Sequence, residues 1–319
     1  MEKTMVHRTK AARRALRSLM TAAVLLGFGA AAVLGGESIG EYFREGVRLA
    51  VERVLPSTFP FMVLSSLAAA LIDPTVMPRI TRAFERIFSV SGEGLGAFII
   101  GNLTGFPIGA KLTASLYKEG ALSRSEAERL MAYSCNPSAA FTVAVVGGSM
   151  LGDNSLGIIL LLSLWLGGLV SAQLFRDKCN NTYICDEKTR QKLDFIENVK
   201  SAALSSIYMI AFVTLFFIAT SIIKKHVSNG IIRAAFIIVL EVTGSVFFVS
   251  EEIKNIYIAM SLSALALGFG GLSVMAQVYA VTDGSGLRMR KYFYIKIFSA
   301  LFSAILAPLI TAIYAAIFG

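Results

Sequence analysis

The segment Gly101-Asn-Leu-Thr-Gly-Phe-Pro-Ile-Gly-Ala-Lys-Leu112 sets three glycines at four-residue spacing, a proline and a lysine among long apolar runs. A lysine in hydrocarbon costs roughly 3 kcal/mol or more, and proline and glycine interrupt helices, so these residues belong beside a cavity and not against lipid. Gly101, Gly105 and Gly109 form two overlapping Gly-x-x-x-Gly units, which taken alone indicate close helix packing. Pro107 and Lys111 point elsewhere. A helix broken near Pro107 turns free amides and a dipole end toward the cavity, and Lys111 adds a full positive charge, which together describe a site for a carboxylate or other anionic solute. The string Gly-Ala-Lys-Leu does not meet the order of a phosphate-binding loop, so a nucleotide site is rejected.

Other residues carry similar signals. Asn136-Pro137-Ser138 stands at the entry to the apolar run Ala139 to Val146, where it begins either a second half-helix with polar groups turned inward or an ordinary surface turn. Glu241 lies inside the apolar stretch Ile231 to Val249, which makes it a candidate for ion coupling or for pairing with a buried lysine, unless the span is shorter and Glu241 is interfacial. Gln277 supplies a neutral hydrogen-bonding group in the second half of the chain. Leu55-Pro-Ser-Thr-Phe-Pro-Phe61 places Pro56 where a first-turn proline is normal and Pro60 where it should bend a helix. Catalysis is not expected: the two histidines, His7 and His226, stand in a basic tail and a connecting loop, and no nucleophile elbow, zincin motif or dinucleotide fingerprint is present. No cofactor and no metal are expected, since no histidine accompanies Cys179 and Cys185.

These residues must be held by membrane helices. Of the 319 residues, 55% are hydrophobic and 16% charged, and the apolar ones come in blocks of the length of a span, about 20 residues. The expected fold is all-α and polytopic: a helical bundle with broken helices or re-entrant hairpins. Ser18 to Gly35, Leu55 to Ile72, Ser155 to Phe175, Ala203 to Ile223, Ile231 to Val249, Ile256 to Val281 and Tyr294 to Phe318 are the clear spans, and the region from Leu95 to Leu151 reads as half-helices and hairpins. The net charge of +9 resides in short segments flanking the apolar blocks, so it reports topology and not nucleic-acid binding. Lys3, Arg8, Lys10, Arg13, Arg14 and Arg17 precede the first block and put the N-terminus in the cytoplasm. That block reads as an uncleaved anchor in preference to a signal peptide, being long for a signal core. A cytoplasmic linker would keep Cys179 and Cys185 reduced. Ser123 and Glu126 form a capping box ahead of a short connecting helix.

The chain divides into residues 1–40, a basic segment with the first span; 41–175; a polar cytoplasmic linker, 176–196; and 197–319. The second and fourth parts can be superposed as repeats. Glu45 and Glu197, Ala83-Phe84 and Ala235-Phe236, Val90 and Val242, and Gly92 and Gly244 share an offset of 152 positions, and Gly105, Ala110, Lys111 and Gly120 match Gly271, Ala276, Gln277 and Gly286 at 166. Duplicated membrane proteins with broken helices at matching places are commonly secondary transporters with a midplane site between repeats.

Four strings, Leu55-Pro-Ser-Thr-Phe-Pro-Phe61, Gly105-Phe-Pro-Ile-Gly-Ala-Lys111, Ser125-Glu-Ala-Glu-Arg-Leu130 and Asn136-Pro-Ser138, resemble the sporulation integral membrane protein family of the YlbJ type, whose halves are related to the nucleoside-recognition or Gate domain. The resemblance runs from about Glu41 to Ala316, and it is stronger in the first half. It implies two Gate-like repeats and a role in endospore formation, with dipicolinate moved from the mother cell across the outer forespore membrane. That small aromatic dianion suits a site built from Asn102, Thr104, Gly105, Phe106, Pro107, Gly109, Lys111, Asn136, Ser138 and Gln277. Nucleoside transport, or a membrane scaffold for spore assembly acting through the 176–196 linker, are the alternatives. Besides the solute and the bilayer, the expected partners are another copy of the chain and no nucleic acid. Gly271-Leu-Ser-Val-Met-Ala-Gln277 lacks the proline and lysine of its counterpart, which weighs against two equivalent sites.

Overall fold

The computed structural model describes Gly36 and residues 38–176 and 195–318, and within them every regular element is a helix. The basic tail, the block from Ser18 to Gly35, and Cys179 and Cys185 with most of the linker lie outside the described residues. Helix α1 (Ser38–Leu49) passes through a π-turn at Ala50–Val54 into α2 (Leu55–Leu71), with Pro60 inside it. There follow α3 (Pro78–Phe88), α4 (Leu95–Thr104), α5 (Ile108–Lys118), α6 (Arg124–Tyr133), a π-helix α7 (Phe141–Met150), and α8 (Asn154–Leu174). The second half holds α9 (Phe195–His226), α10 (Gly230–Leu240), α11 (Val242–Glu252), α12 (Ile256–Phe269), α13 (Gly271–Thr282) and α14 (Met289–Phe318).

Among the described residues, four stretches are long and apolar enough to cross a bilayer: α8, Ala202–His226 within α9, Ile256–Thr282 through α12 and α13, and α14. A fifth is available if α3 and the Gly92–Thr104 segment are one broken span, bent by 98°. The protein is therefore an all-α, multi-pass membrane protein, and its irregular backbone is where a cavity must be sought, because lipid offers no partner for a free amide. Ile231 to Val249 is not one helix, as its hydropathy indicates, but two helices of 11 residues, α10 and α11, broken at Glu241 in extended conformation. The carboxylate takes amide protons that a continuous helix would have used internally, so the break stabilises itself.

Between helices in lipid there is no hydrophobic driving force, and contact must come from shape. Helix α14 packs on α8 and α12. A Cβ on Gly167 of α8 would lie 2.7 Å from the Ser299 carbonyl oxygen, and one on Gly268 of α12 would lie 2.8 Å from Ala300 Cα. Both glycines thus permit close approach to the backbone of α14 around Ser299 and Ala300. The hairpin of α7 and α8 closes in the same way, with a Cβ on Gly147 only 2.5 Å from Gly157 Cα.

The connecting helix α6 begins with the capping box read from sequence. Ser123 Oγ accepts from the Glu126 amide at 3.3 Å, and Glu126 Oε2 accepts from the Ser123 amide at 2.9 Å. Glu126 Oε1 also accepts from the Ser91 amide at 3.1 Å, so this cap ties α6 to the bend between α3 and α4. Ser123→Ala is expected to destabilise the protein by about 1 kcal/mol, measurable as a lowered thermal midpoint of the detergent-purified chain.

Candidate functional site

The chain breaks meet one another. At the α4/α5 break Gly105 has φ of 89°, a left-handed value that a residue with a Cβ avoids, and its missing Cβ would stand 2.7 Å from the Ser138 amide nitrogen. The next amide, Phe106, donates to the Asn136 carbonyl at 3.0 Å, so the α4/α5 break is joined to the α6/α7 break at Cys135 to Ser138. In the second half, Gly271 at the α12/α13 break has φ of 71°, and a Cβ there would lie 3.0 Å from Leu240 O and Glu241 N. The α10/α11 and α12/α13 breaks are therefore also in contact.

Between these two pairs of breaks lies a narrow cleft that sets a few polar groups among apolar ones. Its lining includes Thr104, Gly105 and Phe106 from the first break, Pro137 and Ser138 from the second, Glu241 and Thr243 from the third, and Ser273 and Gln277 from α13. Thr58 of α2 and Met209 of α9 close it from the side. Its volume, about 50 Å³, admits water but no metabolite. The sequence-predicted residues Thr104, Gly105, Phe106, Ser138, Glu241 and Gln277 are all brought to this one place. Each polar group is fixed locally: Thr104 Oγ1 donates to Ile100 O at 2.7 Å, Ser138 Oγ accepts from the Phe141 amide at 3.1 Å, and Glu241 accepts from the amides of Thr243 at 2.9 Å and of Gly244. Glu241, only 2% exposed, thereby caps α11.

Other predicted residues stand apart from the cleft. Lys111 and Pro107 line a separate tight crevice with Met62, Ile108 and Ser205. Gly101 and Gly109 do packing work: a Cβ on either would lie 2.4 Å or 2.2 Å from the Ser134 carbonyl oxygen, and the one on Gly101 would reach 2.7 Å from Gly109 Cα. The α4/α5 hairpin is therefore closed by glycine against glycine, with Ser134 laid across both. Asn102 and Asn136 point away from the cleft and line a second cavity, of about 360 Å³, with Phe88, Phe98, Tyr133 and Trp165.

Sequence reasoning missed Lys296. It sits in α14, is 1% exposed, and its Nζ donates to Cys135 O at 2.8 Å and to Asn136 Oδ1 at 2.9 Å. Asn136 Nδ2 donates onward to Asn102 Oδ1 at 2.7 Å, and Asn102 Nδ2 to Phe98 O at 2.9 Å and Tyr133 O at 3.0 Å. The signal was available: a lysine followed by more than twenty largely apolar residues, inside the stretch taken as the last span. Its neighbours Arg288, Arg290 and Lys291 made it look like one more interfacial charge.

Crossed, broken helices that bring polar side chains from both halves of the chain to one buried place define a polytopic membrane protein with a central polar site. Consistent with that class, the chain is 24% identical over 92% of its length to the sporulation integral membrane protein YlbJ of Bacillus subtilis (strain 168), of which it covers 83%. No protein-family model matches the sequence, and no solved structure matches it significantly.

Proposed function

We propose that this protein is a secondary transporter or facilitator for a small anionic metabolite, with dipicolinate as the solute and the outer forespore membrane as its location. The observation that carries this reading is the convergence of four helix breaks from both halves of the chain on one cleft lined by Thr104, Ser138, Glu241, Ser273 and Gln277. Breaks cost hydrogen bonds in a membrane and persist where they line a solute path. Two Gate-like repeats, 41–175 and 197–319, unlike at their matching breaks, would flank that path, with the N-terminus cytoplasmic. The cleft as it stands is too small for a solute, so transport requires the two pairs of breaks to part, as in alternating access. Dipicolinate is preferred to a nucleoside because the buried Lys296 ammonium donates to Cys135 O and Asn136 Oδ1, next to Pro137 and Ser138 of the cleft wall, and a cation there favours an anionic solute.

The test is uptake of labelled dipicolinate into proteoliposomes, with and without an imposed proton gradient. Gln277→Leu removes the second half's hydrogen-bonding group from the cleft wall, where Nε2 stands 3.5 Å from Ser273 Oγ. It is expected to lower uptake at least tenfold with insertion unchanged. Uptake of uridine in preference to dipicolinate would assign the nucleoside reading. Absence of uptake of either, with spore assembly lost when a neutral linker replaces 176–196, would assign the scaffold reading.

A further inference from the structure

The larger cavity, of about 360 Å³, is walled almost wholly by hydrocarbon. Phe88 closes it from the end of α3, Phe98 and Leu103 from α4, Tyr133 from α6, and Trp165 and Leu169 from α8. The Phe88 ring lies 4.5 Å from that of Phe98 and 5.2 Å from that of Tyr133. The Asn102 and Asn136 carboxamides also border the space, but their hydrogen bonds are spent inside the protein. Asn102 Nδ2 donates to Phe98 O and Tyr133 O, its Oδ1 accepts from Asn136 Nδ2, and Asn136 Oδ1 accepts from Lys296. The Tyr133 hydroxyl is buried in protein. A polar solute would give up its hydration here for no new partner, and water needs about two to four polar partners to settle in a cavity.

The opening of the cavity says what can enter. Helices α4 and α8 both line it without packing closely on each other, and at that gap Leu103 and Trp165 are 50% and 38% exposed. Helix α8 is long and apolar enough to cross the bilayer, and Ile158, Leu162, Leu166 and Val170, exposed with Trp165, form the face it turns to lipid. The mouth is therefore continuous with the surface that the bilayer covers. Protein interiors are close-packed, and about 150 Å³ is enough to admit a benzene ring. A space more than twice that size, left empty, would forfeit the dispersion contacts of its aromatic walls.

We infer that this cavity is a binding site for one acyl chain of a bilayer phospholipid, which enters sideways between α4 and α8. The headgroup stays outside and takes no part in recognition, since no charged side chain lines the space. A helix from a second copy of the chain is about 10 Å across and could only cover the mouth, not fill the interior. Asn102 lies two residues before Thr104 and Asn136 two before Ser138, and both of those line the cleft. An acyl chain seated behind them braces the junction of the α4/α5 and α6/α7 breaks from the side away from the cleft. The inference needs the membrane fold alone and stands whether or not the cleft passes a solute.

The full chain has one tryptophan, Trp165, and it stands at the mouth. Phosphatidylcholine with brominated acyl chains is titrated into the detergent-purified full chain, and native mass spectrometry counts the lipid retained. The expected result is saturable quenching of Trp165, one retained lipid per chain, and a thermal midpoint that rises with added lipid. Gly168 borders the cavity, and a Cβ there meets Ser299 Oγ at 4.0 Å and nothing nearer, so Gly168→Leu fills the space from within at no cost to the helix. It is expected to weaken lipid retention at least tenfold and to leave quenching merely proportional to the lipid fraction, with a lipid-free midpoint equal to that of wild type or higher. Leu103→Phe narrows the mouth at an exposed position and should weaken retention severalfold, which keeps the test open should Gly168→Leu not fold. Leu162→Phe, on the lipid face but outside the cavity, should retain lipid as wild type does. Phosphatidylglycerol with the same chains should be retained equally well. Wild-type retention in both Gly168→Leu and Leu103→Phe, retention of phosphatidylglycerol alone, or a dimer that carries no lipid would each overturn the inference.

Discussion

Gly109→Ala is expected to abolish recovery of folded protein, or to lower its thermal midpoint by more than any other alanine substitution at a described helical glycine. A Cβ at Gly109 would lie 2.2 Å from the Ser134 carbonyl oxygen and 2.6 Å from its carbonyl carbon, and both are backbone atoms that no rotamer change can withdraw. The hairpin cannot open to receive the methyl group, because Gly101 presses on Gly109 from the other side and meets the same carbonyl. Overpacking of a well-filled interior costs about 1–3 kcal/mol where side chains can yield, and more where backbone must move. The comparison is Gly40→Ala in α1, where nothing lies within 4 Å of the new Cβ. There alanine is expected to be neutral, or to stabilise by up to about 1 kcal/mol through its better helix propensity. Thermal denaturation of both variants in one detergent, followed by size-exclusion recovery, measures the contrast. Equal midpoints would show that α4, α5 and Ser134 are not packed as described.

The contrast explains which parts of this molecule could be read in its sequence. Gly101, Gly105 and Gly109 carried two meanings, packing and interruption, and each proves right for different members of the set. Gly101 and Gly109 pack, while Gly105 breaks the helix at positive φ. Spacing could not apportion them, since it records that small residues share a helix face and not what meets that face. The Ser123 and Glu126 cap was legible because its partners lie three residues apart, within the reach of local chemistry. Glu241 and Gln277 were found as polar residues in apolar runs, but that they meet Thr104 and Ser138 is a long-range fact. Lys111 shows the limit most clearly. Its helix carries polar residues on more than one side, and the sequence does not say which neighbouring helices meet each side; the structure sets Lys111 in the crevice beside Met62 and Ser205 and not in the cleft. Lys296 was hidden by company, standing close behind three basic residues at the entry of α14.

Glu241 yields the second large effect, because one carboxylate does two separable things. It caps α11, with Oε1 accepting from the Thr243 amide at 2.9 Å and Oε2 from the Gly244 amide. It also places an ionisable carboxyl in the wall of the cleft that Ser138 and Phe106 line. Glu241→Ala removes both, and is expected to cost about 1–2 kcal/mol of stability through the lost cap, together with all accumulation of dipicolinate. Glu241→Gln separates them. The amide oxygen still accepts from one backbone N–H, so the thermal midpoint should fall by less than half as much as in the alanine variant. Yet the side chain can no longer exchange a proton or attract a cation, which by default is what an ionisable group at this depth does. The expected result for Glu241→Gln is therefore a folded protein that equilibrates dipicolinate across the proteoliposome membrane but no longer concentrates it when a proton gradient is imposed. Concentrative uptake at the wild-type level by Glu241→Gln would reduce Glu241 to a helix cap, and the driving ion would have to be sought elsewhere in the protein.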